Sequence, residues 1–396
     1  MPKVSSTRLM VAAIFGLFVY GTIASMLGTL LPELSARFHL TPEQNGSIAA
    51  LQAVGLMLAS IATGPLIDNK GKKTGFVIGM ALIVISLVGL PNSTGAGTIM
   101  ICMFLLGLGG GTIVTASNNL VSDVGEDKRA SMLNFAHVFF GLGSLLTPFI
   151  AANLFEGNVI LLTYIVAAMT VVALVVQATT PMPVPAAGDG FRPSEIVRLK
   201  GKPLLFILSL FVFLYVSCEV GFWNWLARYL VTRGVPERRA LNILALGFGS
   251  GILLGRLIGS RVLRRYSAVS LSLACSALMA ITTYWTLHTG SPAGAAVSVF
   301  CAGLAMGPVY PSSMAIAGDA FPYMTATCMG IVITSGWIGL AVSSRLIGWV
   351  ASGREGLGDA LLLLPAFSVA MIAILLVMRP MLARARSQSK APAMVL

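Results

Sequence analysis

Apolar positions along the chain come in long unbroken runs, without the alternation of a half-buried strand or the single stripe of a soluble helix. Twelve runs lie between charged, Pro-marked or Gly-marked breaks: 9–32, 45–67, 74–91, 97–121, 130–154 and 158–180, then 203–230, 240–263, 267–287, 292–317, 323–350 and 358–378. Each is close to or above the roughly 20 residues a helix needs to cross a bilayer. Barrel strands would be about 10 residues long with strict alternation, and the chain has no such segments. The pattern predicts an all-α membrane protein with twelve transmembrane helices. The first run is too long for a signal-peptide core and lacks a small-residue cleavage site, so it is read as the first span behind a basic leader, Lys3 and Arg8.

Composition agrees. Of 396 residues, 56% are hydrophobic and only 10% charged, against about 25% charged in ordinary soluble domains. That excludes a soluble enzyme, a disordered chain and a disulfide scaffold. The 42 glycines suit helices packed closely in lipid. The net charge of +12 would suggest nucleic acid in a soluble protein. Here it reads as topology: of 26 Lys and Arg, 18 fall on the side that carries both termini, 7 on the other, and Arg256 lies inside the eighth span. This bias predicts cytoplasmic termini. The five cysteines sit in apolar runs without CxxC spacing, and the three histidines are scattered. With no metal set, nucleophile–base constellation or phosphate loop, neither enzyme chemistry nor a cofactor is expected.

The longest break, 181–202, holds four prolines and a short amphipathic piece near 193–200. It separates a six-span bundle, 1–180, from a second, 203–396, which ends in a short basic tail. The halves resemble each other. Gly107, Gly111, Asp123, Ala130 and Gly143 pair with Gly303, Gly307, Asp319, Ala326 and Gly339 at an offset of 196, and Gly64–Asp68 can be matched to Gly255–Gly259 at 191. Parallel six-helix repeats are a transporter architecture that works by alternating access around a central site.

After span 2 comes Gly64-Pro65-Leu66-Ile67-Asp68-Asn69-Lys70-Gly71-Lys72-Lys73. It resembles the G-x-L-x-D-[RK]-x-G-[RK]-[RK] loop of the major facilitator superfamily, with Asn69 where a basic residue is usual. Physically, a glycine lets span 2 pack tightly, an aspartate at a helix end can pair with cations or cap another helix, and a second glycine permits the turn. Gly64, Asp68, Lys70, Gly71 and Lys72, with Asp123, Glu126 and Arg129 after span 4 and Arg256 in span 8, form the expected cytoplasmic gate.

Glu219 stands apart from the other acidic residues: it lies near the centre of span 7. An ionised carboxylate is costly there, so it is expected to face a cavity or carry a proton. Tyr215, Glu219 and Trp223 are spaced i−4, i, i+4 and share a face, and Asn224 follows. An aromatic face beside a carboxylate and an amide suits the flat face and hydroxyls of a sugar. Trp225 and Tyr229 are read as interfacial belt residues. The first half offers Asn118 and Asn119 in span 4, and Asn134 and His137 in span 5, all at one depth, with Gln52 deeper in span 2. Each of these polar groups needs a partner in lipid, either substrate or a neighbouring helix. Tyr310 follows Pro308 and precedes Pro311; such prolines free backbone carbonyls and make span 10 bendable.

Span 5 opens Leu133-Asn134-Phe135-Ala136-His137-Val138-Phe139-Phe140-Gly141-Leu142-Gly143. It is similar to the signature of the fucose permease and glucose/galactose transporter branch, and Glu219…Trp223-Asn224-Trp225 is similar to bacterial members of that branch. The resemblance implies a symporter of a hexose or related polyol coupled to protons, with sodium as the alternative; so compact a chain is typical of a bacterial inner membrane, and a functional monomer is expected. That branch carries acidic residues within spans 1 and 4, whereas this chain has only Glu33 and Asp123 at their ends, which places the coupling role on Glu219. Two further readings stay open. The run Gly143-Ser144-Leu145-Leu146-Thr147-Pro148 keeps only the proline and first glycine of an exporter motif, and a carrier fold can also serve as a receptor or scaffold.

Overall fold

The computed structural model describes residues 5–40, 42–153, 158–183, 202–322, 324–351 and 356–390. The linker expected at 181–202, including the amphipathic piece near 193–200, lies almost wholly outside the described residues.

The described chain is almost entirely helical. We number the membrane passes α1 (Ser6–Ala24, continued by Met26–Phe38), α2 (Pro42–Lys70), α3 (Lys72–Gly89), α4 (Ala96–Gly125), α5 (Arg129–Asn153), α6 (Val159–Thr179), α7 (Pro203–Thr232), α8 (Gly249–Val262, led by a π-helical Ile243–Phe248), α9 (Ala268–His288), α10 (Pro292–Met306 and Val309–Ala320), α11 (Thr325–Ala351) and α12 (Leu363–Lys390). Eleven apolar stretches among the described residues are long enough to cross a membrane, and the stretch 96–147 covers α4 and most of α5, which makes twelve passes. The chain is a multi-pass membrane protein.

Local chemistry sets the helix ends. Pro203 and Pro292 open α7 and α10 at positions where no backbone N–H is needed. Asn158, Ser267 and Ser291 cap α6, α9 and α10 by accepting from the N–H groups of Leu161, Ser270 and Gly294. Gly71 turns the chain between α2 and α3 at φ +85°, a conformation costly for any residue with a Cβ. The apolar runs hide three internal features: a break in α1 at Ser25, the π segment of α8, and a break in α10 at Gly307–Pro308.

The chain forms two compact units, residues 1–191 with 323–334, and residues 192–322 with 335–396. Each repeats one packing scheme. In unit 1 a Cβ on Gly107 would collide with the Gln52 carbonyl, and one on Gly55 with the Phe104 carbonyl. In unit 2 Gly303 meets the Phe248 carbonyl and Gly251 the Phe300 carbonyl in the same way. All four pairs are related by an offset of 196. This corrects the 191 register for α2 and α8: the packing pairs Gly255 with Ala59 and Asp68 with Arg264, and the Gly-rich sequence matched by chance at 191. For α1 and α7 the offset is 195. Gly143 abuts the Phe18 carbonyl and Gly339 the Phe213 carbonyl, so Tyr20 corresponds to Tyr215.

Candidate functional site

Unit 2 gathers its polar side chains around Glu219. Glu219 and Tyr215 lie one turn apart on α7 with their side chains in interaction range, and Arg256 of α8 lies within electrostatic reach of both. Arg256 is only 4% exposed. Its Nε donates to the Gly307 carbonyl at 3.2 Å, and Tyr310 faces it from α10. The Tyr215 hydroxyl donates to the Met306 carbonyl at 3.0 Å. The Arg256 contact follows from the prolines of α10. Pro308 and Pro311 donate no N–H, so the carbonyls of Leu304 and Gly307 lose their i+4 partners. An unpaired buried carbonyl is expensive, and the side chain of Arg256 takes the one at Gly307.

Arg256 was expected among the gate residues; the structure instead places it with Glu219 and Tyr215 in the interior of unit 2, because its side chain reaches from α8 to the break in α10. Trp223 lies one turn beyond Glu219, 36% exposed, with its ring edge-on to Phe248 at 5.3 Å. Phe248, the last residue of the π segment, also packs on Phe222 at 4.9 Å. Asn224 is exposed. Tyr229, read as an interfacial belt residue, is in fact buried and donates to the Leu287 carbonyl at 2.5 Å, fastening α7 to the end of α9. Trp225 is half-buried, with its ring against Gly348 and Arg228 above it.

Unit 1 holds a neutral polar cluster. His137 Nε2 lies 2.8 Å from Asn118 Oδ1. The amide oxygen can only accept, so Nε2 carries the proton in this assignment. Asn118 is fully buried, and its amide nitrogen has no partner among the described residues. Asn119 and Gln52 are buried on α4 and α2, and Asn134 donates to the Ala130 carbonyl of its own helix at 3.1 Å. The residues that sequence reading missed here are aromatic. Tyr20 of α1 stacks on Phe140 of α5 at 5.2 Å, and His137 sits 6.1 Å from the same ring. Their signal was the 195 offset that makes Tyr20 the counterpart of Tyr215.

The Asp68 loop forms the third group, also in unit 1. Asp68 Oδ2 accepts from the Thr327 hydroxyl at 2.6 Å and from the Thr327 N–H at 3.2 Å. The carboxylate thus sits at the N-terminus of α11, where unpaired N–H groups and the helix dipole favour an anion. Gly64 is required beside it: a Cβ there would lie 2.6 Å from the Thr327 Cα. Lys72 pairs with Asp123 at 2.6 Å, and Arg129 Nε donates to the Ser122 carbonyl at 2.8 Å, closing the end of α4. Glu126 is exposed in the tight turn that follows, at φ +37°, and Lys70 is exposed. Thr327 could not be read from sequence, since nothing in the Asp68 loop specifies its partner 259 residues away.

Comparison with known proteins gives this arrangement a context. The chain is 22% identical over 382 residues to Bypass of stop codon protein 6 of Saccharomyces cerevisiae, covering 86% of this chain and 76% of that one. Its fold is similar to that of the fucose:proton symporter FucP of E. coli, with a TM-score of 0.83 at 18% identity over 94% of this chain and 99% of that one. It is also similar in fold to the proton:xylose symporter XylE, with a TM-score of 0.74 at 15% identity over 95% and 96%. The profile of the Major Facilitator Superfamily matches residues 13–344, from the middle of α1 into α11. With that span matched and a six-helix scheme repeated in each unit, this chain belongs to the Major Facilitator Superfamily.

Proposed function

We propose that the protein is a secondary active transporter that works by alternating access and couples uptake of a sugar or related small polar solute to a proton, in a bacterial inner membrane. The observation that carries this reading is the Glu219–Tyr215–Arg256 group. A carboxylate and a guanidinium inside membrane helices are costly unless they serve a solute or ion path, and this carboxylate can take up and release a proton beside a fixed positive charge. Asn118 contributes amide hydrogens that can meet a solute hydroxyl, and Tyr20 and Phe140 offer apolar ring surface. Trp223, Asn224, Asn119, Asn134, His137, Gln52 and Tyr310 complete the candidate contacts. Asp68 at the head of α11, with Gly64, Lys70, Gly71, Lys72, Asp123, Glu126 and Arg129, acts as the gate on the cytoplasmic side. The likeness in fold to two sugar:proton symporters supports the substrate class.

The test is uptake of labelled hexoses into proteoliposomes with and without an imposed inward proton gradient. Gradient-stimulated accumulation is the expected result. Absence of hexose uptake under both conditions contradicts the reading and favours an exporter, to be assayed in the reverse direction.

A further inference from the structure

The hydroxyl of Tyr215 has a single proton and two acceptors in reach, the Met306 carbonyl and the Glu219 carboxyl group. Met306 precedes the break in α10 and Gly307 opens it, and the Gly307 carbonyl is held by Arg256. The two side chains that face Glu219 are therefore the same two that hold the carbonyls at this break. The groups surrounding Glu219 are Tyr215 on its own helix and Arg256 from α8, with Tyr310 of α10 behind the guanidinium. Cys218, next along α7, turns to Ser368 of α12 at 3.6 Å.

We propose that Tyr215 and Arg256 are positioning residues that carry the charge state of Glu219 to the break in α10; this deepens, and rests on, the proton-coupled reading above. With a proton on Glu219, its O–H donates to the Tyr215 oxygen, and the Tyr215 O–H is left for the Met306 carbonyl. That is the bond observed. With Glu219 ionised, the carboxylate is the stronger acceptor. Tyr215 then donates to it, and the Met306 carbonyl loses its donor. At the same time Arg256 is drawn toward the carboxylate, away from Gly307 and Tyr310. One proton, taken from water and returned to it, thus tightens or loosens a helix that its prolines already leave short of hydrogen bonds.

The experiment is hydrogen–deuterium exchange of the 304–313 segment in the full-length protein in lipid nanodiscs, across the pH range in which it stays folded, with rates corrected for the intrinsic pH dependence of exchange. The wild type is expected to show severalfold slower exchange in this segment at low pH than at high pH, with other passes unchanged. Glu219→Gln, whose amide donates to Tyr215 at every pH, is expected to hold the slow pattern throughout. Tyr215→Phe, which keeps the ring and removes the hydroxyl, is expected to exchange faster than the wild type at low pH and to keep only the smaller part of the pH difference that Arg256 carries through Gly307. A wild-type segment without the pH difference overturns the proposal, and so does a wild-type-like pH difference in either variant. Should Tyr215→Phe not fold, the wild-type and Glu219→Gln profiles decide alone. The measurement needs no solute, so a failed hexose assay beside a positive exchange result rejects the substrate and keeps the relay.

Discussion

In unit 1 the polar interior is neutral: Asn118 bonded to His137, with Asn119, Asn134 and Gln52 also buried and Tyr20 stacked on Phe140. In unit 2 it holds an acid and a base, Glu219 and Arg256, with Tyr215 in the place of Tyr20. The packing registers put Ala24 where Glu219 stands and Ser60 where Arg256 stands. One helical scaffold therefore closes with small neutral residues at those two positions or with a carboxyl group and a guanidinium. The lesson is that the charges are not needed to build the scaffold. Ionisable groups inside membrane helices are costly, so their presence at these two positions points to work done by their charge.

The sharpest way to break this comparison is to write unit 1 into unit 2. Arg256→Ser alone takes the cation from beside Glu219 and the donor from the Gly307 carbonyl, and is expected to cost more in thermal or denaturant unfolding than the about 1–3 kcal/mol of an orphaned buried carbonyl. Glu219→Ala together with Arg256→Ser is expected to recover most of that stability and to show no gradient-driven accumulation. If the double variant is as unstable as Arg256→Ser alone, the pair is structural. Next in size is the test of the shared scaffold. Gly107→Val and Gly303→Val force the same overpacking at equivalent points and should each lose about 1–3 kcal/mol or more. A large loss in one unit and none in the other would contradict the 196 register.

The neutral cluster is expected to affect solute binding and leave coupling intact. Asn118→Ala should weaken binding by about 0.5–1.5 kcal/mol, seen as a raised half-saturating hexose concentration with an unaltered pH profile of uptake. A changed pH profile would give unit 1 a share in proton handling. The smallest effect is expected at the loop. Asp68→Asn removes the charge at the head of α11, worth about 0.3–1 kcal/mol. In a chain whose other four cysteines are replaced by Ala, the buried Cys328 next to Thr327 should then be alkylated about two- to fivefold faster. An unchanged rate would mean that the charge of Asp68 does not hold the first turns of α11.

Much of the fold could be read from the apolar runs, because a membrane helix must be long and apolar along its whole length. The predicted run 203–230 became Pro203–Thr232, and 292–317 became 292–320. The interruptions inside passes were less legible. Only α10 announced its break, through Pro308 and Pro311; the π turn before Phe248 and the break at Ser25 have no comparable residue signal. At the site, Glu219 was conspicuous as a charge in mid-span, and Tyr215 followed from helical spacing. Arg256 was visible as a buried charge, but its partner was not, because the direction in which a long side chain reaches depends on a neighbouring helix. The repeat at 196 was legible in α4 and α10, where glycines mark close approach, and was misread in α2 and α8, where an alternative glycine match was available.

The most direct test of the central claim is solute-driven proton movement. Hexose is added to proteoliposomes that hold a pH-sensitive dye and no imposed gradient, with the wild-type protein and with Glu219→Gln. The wild type is predicted to acidify the lumen as hexose enters, and Glu219→Gln to admit hexose without acidification. Equal acidification in the two would show that the proton does not travel with Glu219 and would contradict the coupling role assigned to unit 2.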